Sequence, residues 1–270
     1  KRDDGYHEIA TVMQAVDLCD RLTVETADTL SLIVSNPALP TDDGNLIVRA
    51  AARLGEAAGA TKGARITLDK HIPVAAGLGG GSSDAAATLW ALNRRWGLRW
   101  SRDRLAALAA RLGMDVPFFL GTGRALATGR GEQLEPLPGA GAYAFVLVNP
   151  NFPLSTREVY GRVPAGWTAE ARSTRRMVEA LRTRSARTVA GALANNLESI
   201  VEPMVPVIRH MKSALLAAGA LGAVMSGSGP TVFGVARSYD HARQIRSRVN
   251  RAGWSCWAVR TVSGRVIRAV

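Results

Sequence analysis

The chain has 270 residues, 47% of them hydrophobic, enough for one large packed domain or two ordinary ones and too many for an intrinsically disordered chain. With 34 Lys and Arg against 22 Asp and Glu, the formal charge of +12 suits polyanionic small molecules and equally suits nucleic acid. Cys19 and Cys256 offer neither a disulfide framework nor metal-ligand spacing, and the longest apolar run, residues 142–148, is too short to span a bilayer. A cytoplasmic protein is therefore expected, with no membrane partner and no signal peptide. The sequence opens on Lys1 rather than Met, so a longer natural N-terminus is expected.

Taken in order, Asp4-Gly5 is a turn signal, and Tyr6 and His7 open an extended stretch through Val12, Val16 and Leu18. An aromatic ring beside an imidazole can stack a base and hydrogen-bond its edge; an ordinary surface hairpin explains the same residues. Alternating runs at 22–24 and 30–34 predict two strands of one meander. Turns follow, and Asn45 then predicts the cap of a helix to about Ala58, with Leu46, Ile47, Ala50, Ala51 and Leu54 on one face. Another strand is predicted over 64–68, and Asp69-Lys70 leads out of it.

The next stretch reads Pro73-Val74-Ala75-Ala76-Gly77-Leu78-Gly79-Gly80-Gly81-Ser82-Ser83-Asp84. Glycine permits positive φ and close approach of backbone to a ligand, and Ser82, Ser83 and Asp84 are good N-cap types. A glycine-rich loop running into a helix presents unpaired N–H groups and the positive end of the helix dipole, which favours phosphate. A bulky residue at Gly79 or Gly80 is expected to block that approach without unfolding the chain. A spare hydroxyl could reach a Mg²⁺ carried on the phosphates, although no residue is singled out as a metal ligand. The pattern is neither Walker A, since Ser82 and not Lys follows Gly81, nor the dinucleotide fingerprint, since the sixth position from Gly77 is Ser82. A glycine turn that merely caps a core helix is the plain alternative.

The helix from this loop is expected to end near Trp96, and a second to run from Ser101 to Leu112. Gly113 ends it and Pro117 suits the first turn of the next, with Asp115 between them. Asp115 reads either as a capping carboxylate or as a general base for a hydroxyl. A hairpin is predicted over 124–134, and a continuous apolar strand over 143–148 closes a first domain, 1–150; a second spans 151–270. Thr156 and Tyr160 fall at a predicted helix start. Residues 172–218 read as helical, with Arg172, Arg175, Arg176, Arg182, Arg184 and Arg187 forming a solvated face. A second glycine loop, Ser226-Gly227-Ser228-Gly229-Pro230-Thr231, lies between predicted strands at 221–225 and 232–236, before a helix (239–252) and a strand (254–262).

Residues 73–87 resemble the central signature of the GHMP kinases, the superfamily of galactokinase, homoserine kinase, mevalonate kinase and phosphomevalonate kinase. Asp4-Gly5-Tyr6-His7 and the segment from Thr156 to Tyr160 resemble the branch that phosphorylates diphosphocytidyl-methylerythritol. The second glycine loop matches the third superfamily signature, and Asn195-Asn196-Leu197-Glu198 resembles the family's Asn-Asp-Leu-Glu, with Asn196 departing from Asp. The resemblance implies an α/β (α+β) fold of two lobes, the N-terminal one ribosomal-S5-like and the C-terminal one ferredoxin-like. It implies transfer of the γ-phosphoryl group of ATP, with Mg²⁺, to the 2-hydroxyl of that small-molecule substrate, in the non-mevalonate route to isoprenoids. It further implies Asp115 as catalytic base and ATP held by Pro73, Val74, Ala75, Ala76, Gly77, Leu78, Gly79, Gly80, Gly81, Ser82 and Ser83, with Asn45 and Lys70 beside it. Cytosine is held by Tyr6, His7 and Tyr160, with Thr156 near the substrate phosphates. A monomer or weak homodimer without nucleic acid is expected. Alternatives are another GHMP kinase, of mevalonate or homoserine type, and a nucleic-acid-binding protein. The superfamily's first signature, a strand bearing Pro-Ala-Lys-x-Asn, would precede Lys1; without its Lys beside Asp115, the expectation is marginal folding and little activity.

Overall fold

The structure, a computed structural model, describes residues 5, 7–59, 63–137, 141–164, 171–251 and 253–269. The elements begin with β1 (Ile9–Gln14), β2 (Arg21–Thr26), β3 (Leu30–Val34), α1 (Leu46–Ala57), β4 (Ala64–Asp69), α2 (Gly80–Arg95), α3 (Arg102–Ala109), α4 (Val116–Phe119), β5 (Arg124–Gly129), β6 (Gln133–Pro136) and β7 (Ala144–Asn149). There follow α5 (Thr156–Gly161), α6 (Ala171–Arg182), α7 (Ala186–Gly191), α8 (Glu198–Met204), α9 (Val207–Ala217), β8 (Ala223–Met225), β9 (Val232–Ala236), α10 (Tyr239–Val249) and β10 (Ser255–Arg260).

These elements form two compact units that interleave along the chain. The first comprises Lys1–Leu18, Pro73–Leu78 and Arg124–Ser263; the second comprises Cys19–Ile72, Gly79–Gly123 and Gly264–Val270. β7, which ends at Asn149, pairs with β9 and β10 from the last part of the chain.

In the second unit the sheet order is β2-β4-β3. The meander expected of β2 and β3 is not formed. β4 inserts between them, antiparallel to β2 and parallel to β3, so that its alternate residues Ala64, Ile66 and Leu68 reach the core. The parallel β3–β4 pair needs a crossover, which α1 supplies. Small residues at Ala50 and Ala51 of α1 and at Ala85 and Ala86 of α2 let backbones pack closely in the same core, with Ile47, Leu54, Leu89 and Leu92 filling it.

The first unit holds an antiparallel sheet of order β1-β5-β6 and a four-stranded antiparallel sheet of order β10-β7-β9-β8. Numbered along the chain, the four strands run 4-1-3-2 with helices after the first and third, the ferredoxin-like arrangement. β7 is buried along its whole length, which explains its unbroken apolar run. Val146 and Val148 enter one core with Ile208, Met211 and Leu215 of α9 and Ile245 of α10; Phe145 and Leu147 enter another with Ala180, Val189 and Val259. The long helical stretch expected over 172–218 is four helices. Ser185 caps α7, accepting from the Thr188 N–H, and Pro206 stands at the N-cap of α9. Among the described residues no helix is long and apolar enough to cross a membrane, and both cysteines are free.

Candidate active site

The first glycine stretch divides between the units. In the first unit, residues 73–78 make an extended turn in which Ala75 and Gly77 have φ of 49° and 72°. Their carbonyls are taken up by protein: Ala75 O accepts from the Leu154 N–H (3.0 Å), Ala76 O from the Thr231 N–H (3.3 Å) and Gly77 O from Ser226 Oγ (2.8 Å). A Cβ on Gly77 would lie 2.2 Å from Ser226 O, so only glycine lets the two loops meet this closely.

In the second unit the stretch becomes the start of α2. The N-cap is Gly79 at φ 66°, not Ser82, Ser83 or Asp84, which the sequence offered as caps. The turn tightens earlier than a serine could permit, so these three residues fall inside the helix. Ser83 Oγ donates back to Gly80 O at 2.8 Å. The exposed Gly81 and the half-buried Ser82 stand in the first turn, where N–H groups lack helical acceptors. α2 has 16 residues, so the positive end of its dipole lies there.

Beneath that first turn lies a buried charge cluster. Lys70 Nζ donates to Asp20 Oδ2 and to Asp84 Oδ2, both at 2.6 Å, and the three side chains are 5%, 2% and 5% exposed. Asp20 Oδ1 also accepts from the backbone N–H groups of His71 (2.6 Å) and Ile72 (2.8 Å). One ammonium thus ties the end of β4 to α2. Burial, set against the attraction of Lys70 and reinforced by Asp20, pushes the Asp84 carboxyl up to about 7. Lys70, expected beside a nucleotide, has its charge committed to these two carboxylates. Asp20 and Asp84 were missed in the sequence, where Asp20 is one acidic residue among many and only its reach to 71 and 72 distinguishes it.

The sign of the resulting pH dependence follows from linkage. A carboxyl whose folded pKa is raised binds its proton more tightly when folded, so its contribution to stability is full below the unfolded value and is lost as pH rises towards about 7. Asp84→Asn keeps an oxygen for Lys70 but cannot titrate. Thermal melts of both proteins should show the wild type losing stability relative to the variant between pH ~4 and ~7. Parallel curves across that range would exclude the buried titration.

Asp115 stands at the N-cap of α4, yet its side chain makes no capping hydrogen bond. Its carboxyl retains accessible surface but is surrounded by enough protein that desolvation holds it above the ordinary carboxylate range. It is thus reachable, and it holds its proton more tightly than an ordinary carboxyl. α4 packs on α2, and Phe119 approaches Gly79 so closely that a Cβ there would lie 2.9 Å from its ring.

Asn45 is the cap of α1: Oδ1 accepts from the Ile47 N–H (3.0 Å) and Nδ2 donates to Pro40 O (2.8 Å). In the first unit the His7 and Tyr160 rings lie 5.5 Å apart, tilted by 39°. Thr156 Oγ1 and Ser228 Oγ are 2.9 Å apart, which joins α5 to the second glycine loop. Tyr6 lies outside the described residues.

Two family models match the chain: the GHMP kinases N-terminal domain over residues 45–123 and the GHMP kinases C-terminal domain over residues 177–255. The chain belongs to the GHMP kinase family. A 4-diphosphocytidyl-2-C-methyl-D-erythritol kinase from Pelotomaculum thermopropionicum is 46% identical over 98% of this chain and 93% of its own length. The namesake from Symbiobacterium thermophilum is 45% identical over 97% and 94%. Among solved structures, a 4-(cytidine 5'-diphospho)-2C-methyl-D-erythritol kinase superposes with a TM-score of 0.80 at 37% identity, covering 97% of this chain and 93% of that one. A mevalonate kinase matches at 0.75 with 12% identity, over 96% and 94%, which speaks to the fold alone. As a GHMP kinase the chain is a phosphotransferase, which favours that reading over a nucleic-acid-binding one.

Proposed function

We propose that this GHMP kinase transfers the γ-phosphoryl group of ATP to the 2-hydroxyl of 4-diphosphocytidyl-2-C-methyl-D-erythritol. The observation that carries this is the near full-length similarity to kinases of that name, 46% and 45% identical. The local chemistry fits. The first turn of α2 offers N–H groups and a dipole to phosphate, and Gly81 and Ser82 leave room there. Asp115 takes the hydroxyl proton, and positioning with electrostatic stabilisation supplies most of the rest. Among the described residues no cluster of His, Cys, Asp and Glu could hold a metal, so a Mg²⁺ would arrive on the phosphates; Ser82 Oγ, which has no hydrogen-bond partner among the described residues, is the side chain suited to meet it. That ion would supply charge neutralisation on the phosphate oxygens. The domains expected over 1–150 and 151–270 would then serve as ATP-binding and C-terminal lobes.

His7, Tyr160 and Thr156 give the first unit a role in holding the cytidine diphosphate. At 5.5 Å the His7 and Tyr160 rings lean on each other, and a base needs ~7 Å between two parallel rings to stack on both. The base is therefore proposed to stack on the Tyr160 ring alone, with the imidazole of His7 reading its edge. Cytosine offers an amino donor where uracil has a carbonyl, so cytidine diphosphate should bind more tightly than uridine diphosphate. Tyr160→Ala should weaken cytidine diphosphate by ~1–3 kcal/mol and leave ATP affinity unchanged. Calorimetry checks both, and equal affinity for the two diphosphates removes the base-reading role. The reaction itself is tested by phosphorylation assays with the diphosphocytidyl substrate, mevalonate and homoserine. Turnover of mevalonate or homoserine in place of the first would reassign the substrate within the family.

A further inference from the structure

The Asn195-Asn196-Leu197-Glu198 motif lies at the start of α8 and includes none of the residues given a chemical role above. Its side chains nevertheless converge on one place. Asn195 Nδ2 donates to two carbonyls, Met225 O and Gly227 O, each at 2.8 Å, while its Oδ1 accepts from the Leu197 N–H at 3.0 Å. Both amide hydrogens and the oxygen are thus in use, so the orientation of the side chain is fixed by three bonds. Glu198 Oε1 accepts from the Met225 N–H at 2.7 Å, and its Oε2 is held by Lys212 Nζ at 2.7 Å. Lys212 is itself braced by Glu202 Oε1 at 2.9 Å. The end of β8 is therefore gripped on both its N–H and its C=O, and the loop is gripped again two residues on.

What is gripped is the second glycine loop. Within it Gly229 N–H donates to Ser226 O (2.9 Å) and Ser226 N–H to Thr231 O (2.8 Å). The same loop reaches the first glycine stretch through Ser226 Oγ to Gly77 O and Thr231 N–H to Ala76 O, and reaches α5 through Ser228 and Thr156. Any shift of residues 225–227 is transmitted to the backbone at 76–77 and to Thr156, because these contacts leave no slack: Gly77 has no room for even a Cβ. All of these residues belong to the first unit.

We propose that Asn195 and Glu198 are positioning residues of the kinase reaction, holding residues 225–229 in the conformation that places Ser228, Thr156 and the 76–77 backbone. This rests on the proposed phosphoryl transfer. The backbone carbonyl of Asn196, between them, accepts from Ser199 Oγ, a bond that does not depend on which side chain stands there.

Asn195→Asp is the discriminating variant. It keeps shape and the bond from Leu197 N–H, but it replaces two donors with an oxygen facing two carbonyls. The purified full chain is measured in two ways. In hydrogen exchange, peptides covering 222–231 should exchange at least tenfold faster in the variant, while peptides from β4 and α1 are unchanged. In steady-state kinetics with the diphosphocytidyl substrate, kcat should fall by more than tenfold with the KM for ATP within twofold. Lys212→Met should give a smaller loss in the same direction, because Glu198 keeps its bond to Met225 N–H. Unchanged exchange at 222–231 overturns the clamp. Faster exchange with kcat unchanged overturns its role in the reaction, as does a loss of kcat that merely tracks the fraction of unfolded protein. A wild-type chain without turnover counts instead against the proposed reaction, and the exchange measurement then still decides the clamp.

Discussion

Asp115→Asn is expected to lower kcat by ~10²–10⁴-fold, the range that a positioned general base contributes. At the same time it should leave the protein as stable as before or more so at neutral pH. The two signs differ because the cause is shared. Desolvation raises the Asp115 carboxyl, so the folded state disfavours its charge, and stability attributable to this group falls as pH rises from the unfolded value to the higher folded one. An amide carries no such penalty. The side chain makes no capping hydrogen bond to α4, so removing the charge costs the helix no cap. As the proposed base Asp115 acts deprotonated, so kcat/KM should rise with pH through that raised value; in the variant this limb should vanish. A pH–rate profile and a thermal melt of each protein check the claim. Loss of activity with matching loss of stability would make Asp115 a structural residue. Retained activity would place the base elsewhere.

Much of this was legible in the sequence, for identifiable reasons. The glycine stretch, the buried β7 and the capped helix after Asn45 declare themselves through glycine spacing, an unbroken apolar run and an N-cap before a periodic face. Strand pairing was not legible: nothing in residues 21–34 says that β4, 30 and more residues on, will separate β2 from β3. The start of α2 was misjudged because good capping side chains follow a glycine that can already adopt the cap conformation. The buried cluster of Asp20, Lys70 and Asp84 was hidden for a third reason. Asp20 and Asp84 stand 50 and 14 positions from Lys70, and the short-range patterns that betray ion pairs on a helix do not apply. The role of Asn195 is hidden likewise, since its partners lie 30 and 32 residues away.

The glycines of the first loop should separate into two kinds when replaced by alanine. Gly80 has no space: its Cβ would lie 2.8 Å from Ile72 Cγ2 and 3.0 Å from Lys70 Nζ, inside the buried ion cluster. Overpacking of this sort costs ~1–3 kcal/mol, so Gly80→Ala should lower the melting temperature, and the larger valine should destabilise further. The sequence-based expectation that a bulky residue here spares the fold is therefore withdrawn for Gly80. Gly81 is different. It is exposed in the first turn of α2, and its Cβ would meet only Leu46 Cδ1, at an ordinary 3.6 Å. By propensity alone Gly81→Ala should stabilise the helix by up to ~1 kcal/mol. What glycine offers at this position is close approach of phosphate to the backbone, which a Cβ would hinder. Gly81→Ala is therefore expected to raise the melting temperature while weakening ATP at least tenfold, about 1.4 kcal/mol. Differential scanning calorimetry and ATP titration on the same preparation give both numbers. A stabilised Gly81→Ala that binds ATP as tightly as the wild type would mean that the phosphates do not approach α2 at this turn, and that the loop there serves only to turn the chain.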